Sequence, residues 1–220
     1  MDECAFCEEF DTGILKLGRV ELKYRKLFET ENFMVFPALG QIVEGYLLIA
    51  PKEHYVGIAN IPEGLFYELE YVSNVVKNVL RKNYLYKGWK CTPLLFEHGS
   101  ISRDKKAGCC LEHAHLHIVP IRIPSDNIKK ELSEKLQCEE IISYNQIKIQ
   151  LKRGRPYIFY ESNEGERYLF DVNEDLPSQY MRRVIAKNIG QEDRWDWRKC
   201  MGLDELVKTI GYLEGKFPTK

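Results

Sequence analysis

Three histidines alternate with apolar residues in Glu112-His113-Ala114-His115-Leu116-His117-Ile118-Val119-Pro120, and all five histidines of the chain lie between His54 and His117. The alternation predicts a strand, on which residues two apart share a face at a spacing of about 6.6 Å. On a helix the same three rings would diverge, because positions i and i+2 do not share a face. A row of imidazoles beside a core calls for a metal or an anion to match it; the bland alternative is three solvated histidines on an exposed strand. Two chemistries could use such a row. Imidazoles can converge on a transition metal, or a neutral ring nitrogen can attack phosphorus while neighbouring donors hold the phosphoryl oxygens.

A second set of reactive residues is Cys4-Ala5-Phe6-Cys7. A Cys-x-x-Cys pair is open to use as a redox couple or as two thiolate ligands. With seven cysteines and no secretory signal visible in the acidic first ten residues, reduced thiols or metal ligation are expected rather than a disulfide framework. Cys91, Cys138 and Cys200 stand singly and read as small buried residues. Cys109 and Cys110 read as reduced neighbours, with a redox switch as the alternative.

The elements that must position these groups follow from punctuation and periodicity. Asn32–Pro37 and Gly45–Pro51 are apolar runs bounded by Gly and Pro, which predicts two strands of a hairpin around Gly40. Apolar residues at three- and four-residue spacing from Pro62 to about Leu85 predict a long amphipathic helix. Further strands are expected at Cys91–Phe96 and Glu112–Ile121, with a loop between them from Glu97 to Leu111. A Ser125 cap is expected to start a helix reaching about Leu136. Beyond it, Pro156–Tyr160 and Glu166–Val172 predict a hairpin, and Pro177–Ile189 and Leu203–Leu213 predict helices.

With these elements in place, His113-Ala-His115-Leu-His117-Ile-Val resembles the His-φ-His-φ-His-φ-φ signature of the histidine triad superfamily, φ being apolar. Leu48-Ile-Ala-Pro-Lys-Glu-His54 is similar to that family's strand ending in Pro-Lys-x-His, and Glu97-His-Gly-Ser100 resembles the loop before its triad. The resemblance spans roughly residues 4 to 121. It implies an α+β fold, an antiparallel sheet with a long helix, over residues 1–124, followed by a C-terminal α/β extension over 125–220 packed on it. It also implies hydrolysis or transfer at the α-phosphate of a nucleotide conjugate, such as a dinucleoside polyphosphate or nucleoside phosphoramidate.

In zinc-containing members two further ligands complete a Cys-x-x-Cys pair, and these map onto His54 and His113. The resemblance therefore implies a closed structural zinc at Cys4, Cys7, His54 and His113. His115 is then the expected nucleophile, with Nδ1 donating to a backbone carbonyl so that Nε2 offers its lone pair. His117 is expected to hold a phosphoryl oxygen and assist proton transfer. Donors around His98, Gly99, Ser100, Gly108, Cys109 and Cys110 are expected to bind the remaining oxygens. Many relatives carry Gly-x-Ser where this chain has Gly108-Cys109-Cys110, and a thiol is the weaker donor.

By the same resemblance the base would lie among Phe33, Phe36 and Ile42. Arg182-Arg183 and Asp193-Arg-Trp-Asp-Trp-Arg198 could stack bases and hold phosphates, or could be an ordinary helix face and a Trp-rich packing segment. The stretch from about Pro177 to Arg198 also resembles the region after the triad-like domain of splicing-associated CwfJ-type proteins. Two alternatives from other classes stand beside the enzyme: a nucleotide- or RNA-binding module without turnover, and a metal-dependent hydrolase with all three triad histidines as ligands. A homodimer through the long helix or sheet edge is common in the family, and the C-terminal segment could cover that surface.

Composition is compatible with this. Lys plus Arg number 32 against 33 Asp plus Glu, divided 15 against 16 up to Pro124 and 17 against 17 beyond it. Neither part is basic, which argues against a dedicated nucleic-acid surface. No apolar run approaches the roughly 18 residues that span a bilayer, and a cytoplasmic location is expected.

Overall fold

The computed structural model describes residues 4–17, 20–23, 25–84, 92–108, 111–173 and 175–219. Helix α1 (Ala5–Thr12) leads into a hairpin of β1 (Ile14–Leu17) and β2 (Val20–Lys23). Strands β3 (Phe28–Glu29), β4 (Phe33–Pro37) and β5 (Leu47–Pro51) follow, then α2 (Leu65–Asn83), β6 (Leu94–Gly99) and β7 (Leu116–Val119). The remainder supplies α3 (Ser125–Ser133), β8 (Gln137–Ile141), α4 (Ile149–Arg153), β9 (Tyr157–Glu161), β10 (Arg167–Asp171), α5 (Tyr180–Asn188) and α6 (Leu203–Leu213).

Eight strands form one sheet in the order β3-β4-β5-β7-β6-β9-β10-β8, and every pairing in it is antiparallel. The α+β class expected from the sequence is the one observed. The expected α/β character of the C-terminal segment is not: β8, β9 and β10 pair antiparallel and continue the same sheet. Strand β9 runs along β6 from Leu95↔Glu161 to Gly99↔Tyr157, so the segment beyond Pro124 occupies the sheet edge that β6 would otherwise present.

Strand alternation sorts the side chains onto two faces. Phe33, Val35, Leu47, Ile49, Leu95, Leu116, Ile118 and Phe159 pack against Phe66, Leu69, Val72, Val76 and Leu80 of α2. Met34, Phe36, Leu48, Phe96, Ile158 and Phe170 pack on the other side with Phe6 of α1, Ile128 and Leu132 of α3, and Met181, Val184 and Ile185 of α5. Each large apolar side chain so buried contributes on the order of 1.5–3 kcal/mol.

Several expected elements shift. The strand expected over Glu112–Ile121 is only Leu116–Val119, so His113 and His115 lie ahead of it; Ala114 instead donates its N–H to the Tyr55 carbonyl at 2.6 Å. The expected loop from Glu97 begins as strand, which continues to Gly99. Helix α3 starts at Ser125, with Pro124 in the cap position, and ends at Ser133 rather than near Leu136. Helix α5 starts three residues after Pro177. Cys91 lies outside the described residues. Among the described residues no helix is long and apolar enough to cross a membrane.

Two buried ionic contacts lock the layers. Arg25 clasps Glu9 of α1 bidentately, at 2.5 and 2.6 Å, and donates to the Pro37 carbonyl at 2.5 Å, with Phe36 beneath the guanidinium. On the α2 face Lys77 pairs with Glu161 of β9, which also accepts from Arg167 at 2.8 Å and from Tyr144 at 2.9 Å.

A third buried acid, Glu97, accepts the Ile58 N–H at 2.7 Å and the Tyr157 hydroxyl at 2.6 Å, yet burial pushes its carboxyl up to about 7. Between the unfolded value of 4.5 and about 7 the folded state therefore holds the extra proton. This contribution is complete below pH 4.5 and is lost as pH rises through about 7, a swing of up to about 3 kcal/mol. Urea unfolding of Glu97→Gln across pH 5 to 7.5 should show a flatter stability profile than the unaltered chain; an equal slope in both would contradict this.

Candidate active site and metal site

The metal-type donors meet where α1 crosses the end of β5. Cys4 caps α1 and Cys7 lies three residues on, so both thiols emerge from one side of the first turn. Phe6 between them is buried in the core, and the Glu9–Arg25 clasp holds the next turn down. Cys4 Sγ lies 3.4 Å from His113 Nδ1, and Cys7 Sγ lies 3.4 Å from His54 Nδ1 and 3.6 Å from His113 Nδ1. The four donor atoms all fall within 4.8 Å of one another. Sulfur and nitrogen bound to one tetrahedral ion are separated by about 3.5 Å, given bonds of about 2.3 and 2.0 Å, so this donor set fits such an ion. His113 Nε2 donates to the Pro51 carbonyl at 2.7 Å, which leaves the Nδ1 lone pair toward the thiols. Burial, with Cys4 adding to it, pushes the Cys7 thiol up to about 12. Metal uptake by these thiols should accordingly release protons and strengthen as pH rises.

The other two triad rings point elsewhere. His115 Nδ1 donates to the His113 carbonyl at 2.6 Å, so the unprotonated nitrogen is Nε2. His117 stacks on Phe96, its cross-strand partner on β6, with ring centroids 4.3 Å apart and planes at 7°. Its Nδ1 lies 2.9 Å from the hydroxyl of Tyr46, a fully buried phenol. The His115 and His117 rings are 4.7 Å apart. Burial lowers the pKa of both, and that of His117 further through His115, His98 and Arg182, so each ring is neutral near pH 7. Neutral imidazoles held in fixed tautomers are what nucleophilic and hydrogen-bonding roles require.

These rings floor a cleft of about 630 Å³, walled by Phe6 and Leu15 on one side and by Gly108, Gln179, Arg182 and Trp197 on the other. Apart from Gly108 the second wall comes from the C-terminal segment, where Arg182 and Trp197 lie in stretches open to base and phosphate contact and Gln179 gave no signal. Gln179 precedes α5 with a left-handed backbone, φ 61°, the one non-glycine positive φ among the described residues. Its N–H donates to the Gly108 carbonyl at 3.0 Å, and its side chain ties down Asp196 and Trp197. A strained residue so over-determined by its contacts sets how the first turn of α5 meets the histidines.

The expected site residues divide accordingly. Cys4, Cys7, His54 and His113 come together, as do His115, His117, His98 and Gly108. His98, however, accepts the Met181 backbone N–H on Nε2 at 3.0 Å, and burial takes its pKa down to about 3. It anchors α5 where a ribose or phosphate contact was expected. Gly99 lies under the Tyr157 ring, which any Cβ would strike at 2.0 Å, and Ser100 is buried against Gly57; neither lines the cleft. Phe33 packs on the opposite face with α2, while Phe36 and Ile42 are core beneath the cleft. Cys109 and Cys110 lie outside the described residues.

No family model matches the chain. It is similar to "CWF19-like protein 1" of Pongo abelii, 25% identical over 183 residues, covering 79% of this chain and 31% of that protein. The chain thus spans about a third of the length of that relative. It is 23% identical to an "uncharacterized HIT-like protein" of Borreliella burgdorferi over 153 residues, covering 69% of this chain and 97% of that one. Among solved structures, a Zn-bound histidine triad family protein from Mycobacterium smegmatis is 19% identical with a TM-score of 0.42, over 69% of this chain and 94% of that one.

Proposed function

We propose that the chain is a histidine triad superfamily member and a nucleotidyl hydrolase or transferase acting at the α-phosphate of a nucleotide conjugate, with His115 as nucleophile. The observation that carries this is the bond from His115 Nδ1 to the His113 carbonyl, which commits the lone pair to Nε2 on the floor of the cleft.

In the first step the Nε2 lone pair forms a bond to the α-phosphorus as the bond from phosphorus to the leaving oxygen breaks. The leaving oxygen takes that electron pair and a proton. His115 becomes a nucleotidyl-imidazolium whose Nδ1–H remains on the His113 carbonyl, which stabilises the new charge. In the second step water, or the hydroxyl or phosphate of an acceptor, adds to phosphorus and the Nε2 bond breaks, returning the pair to the ring. His117, accepting from Tyr46 at Nδ1, holds a phosphoryl oxygen with its Nε2–H; the leaving oxygen takes its proton from solvent, and the attacking water or hydroxyl returns one to solvent in the second step, so both rings end neutral.

The Cys4, Cys7, His54 and His113 set belongs to a structural zinc, which when bound would fix α1 to the backbone that carries the His113 carbonyl. Use of all three triad rings as metal ligands draws no support, since His113 Nδ1 faces the thiols and both His115 and His117 commit Nδ1 to other partners. A nucleotide- or RNA-binding role without turnover is favoured by the similarity to CWF19-like proteins, and it predicts no product at all.

Hydrolysis of adenylated and guanylated conjugates in ¹⁸O-labelled water separates these. The proposed path puts ¹⁸O on the nucleoside monophosphate. Label on the departing group would place attack elsewhere, and absence of product across the panel would favour the binding module.

A further inference from the structure

Arg182 and Arg25 are the two buried guanidiniums on the cleft, 3% and 2% exposed. Glu9 neutralises Arg25 through two bonds. Arg182 has no carboxylate partner among the described residues. Its Nε donates to the Trp195 carbonyl at 2.8 Å and Nη2 to the Gly40 carbonyl at 2.6 Å, and the group stands 5.3 Å over the Tyr46 ring. The cleft around it is lined by His98, His115, His117 and Gln179 and by no carboxylate among the described residues. A buried charge without a counterion is costly, and carbonyl dipoles offset only part of that cost. Arg182 also sits in the first turn of α5, whose N-terminal end favours anions. Two carbonyls and the Tyr46 hydroxyl engage three of the five guanidinium N–H donors, which leaves two for a ligand.

We infer that Arg182, supplied by the C-terminal segment, is the phosphate-binding cation of the histidine cleft and provides the counter-charge for the oxygens of the phosphoryl group bound beside His115 and His117. A guanidinium with spare donors suits a phosphate, which accepts several parallel charge-assisted bonds. The inference rests on the nucleotide assignment of the cleft, and it gives the segment beyond Pro124 a direct part in binding substrate.

The test compares calorimetric titrations of the full chain with AMP, adenosine and inorganic phosphate, using the unaltered protein, Arg182→Gln and Arg182→Lys. The unaltered chain should prefer AMP over adenosine by at least about 10-fold. Arg182→Gln should lose that preference while keeping its adenosine affinity, which also shows that the cleft is intact. Arg182→Lys should keep part of it. A preference undiminished in Arg182→Gln would overturn the inference while leaving nucleotide binding in place. If neither nucleoside compound binds but inorganic phosphate does, and only with Arg182 present, the nucleotide assignment fails and the anion site stands; failure of phosphate as well would overturn both. Should Arg182→Gln not fold, the ¹⁵Nε resonance of Arg182 in the unaltered chain decides: it should shift on adding AMP and not adenosine, and equal or absent shifts would contradict the inference.

Discussion

His115→Asn is expected to reduce turnover of a nucleotide conjugate by about 10⁴-fold or more, because removing a covalent nucleophile abolishes the path rather than slowing one step of it. Asparagine can still donate to the His113 carbonyl, so the local backbone keeps its hydrogen bond while the nucleophilic nitrogen is gone. Substrate affinity should change by only a few fold and the thermal midpoint by a few degrees. Tyr46→Phe is the useful contrast. It removes the hydroxyl 2.9 Å from His117 Nδ1 but leaves the nucleophile in place. Its loss should be far smaller, about 10- to 100-fold, as expected for a positioning residue that acts through His117. Rates from quenched-flow assays at saturating substrate check both, and a His115→Asn protein with near-normal turnover would remove His115 from the chemistry.

The second large effect is expected on stability. Purified chain should carry about one equivalent of zinc by elemental analysis, and Cys4→Ser or Cys7→Ser should lose it, whereas His117→Ala should not. Loss of a closed structural site should lower stability by about 3–5 kcal/mol, or about 10–15 °C in Tm for a chain of this size. Activity should fall with it, since His113 joins the two sites. Its ring faces the thiols and its carbonyl orients His115. Because the metal-free Cys7 thiol holds its proton to about pH 12, zinc should bind more tightly at pH 8 than at pH 6. Zinc retained in both cysteine variants but lost with His115 and His117 would instead point to a three-histidine metal centre.

The residue alternation and the order of elements were enough to read the sheet half and the long helix from sequence, since each depends on periodicity or on short spacings. The grouping of Cys4 and Cys7 with His54 and His113 came from the family resemblance. What failed did so for physical reasons. The triad was read as one strand face, yet His113 and Ala114 leave the ladder because the His113 ring turns to the thiols and the Ala114 N–H to Tyr55. Phe33 and Phe36 were assigned to one pocket although residues three apart on a strand point to opposite faces; the structure puts them on opposite sides of the sheet. Strand β8, Gln137–Ile141, carries little apolar signal because it is an edge strand with mostly exposed side chains. The second wall of the cleft was legible only in part because it depends on long-range packing. Gln179 gave no signal, and Arg182 stood open between holding phosphate and an ordinary helix face; contacts to Gly40, Gly108 and Trp197 are what bring them to the cleft.

The central claim is covalent attack by His115. Brief incubation of the full chain with a conjugate radiolabelled at the α-phosphate, quenched in alkali and digested, should yield one labelled peptide. The label should map to His115, survive alkali, be released by acid, and be missing from His115→Ala. Turnover with no labelled peptide under single-turnover conditions, or label on His117 in its place, would contradict the account.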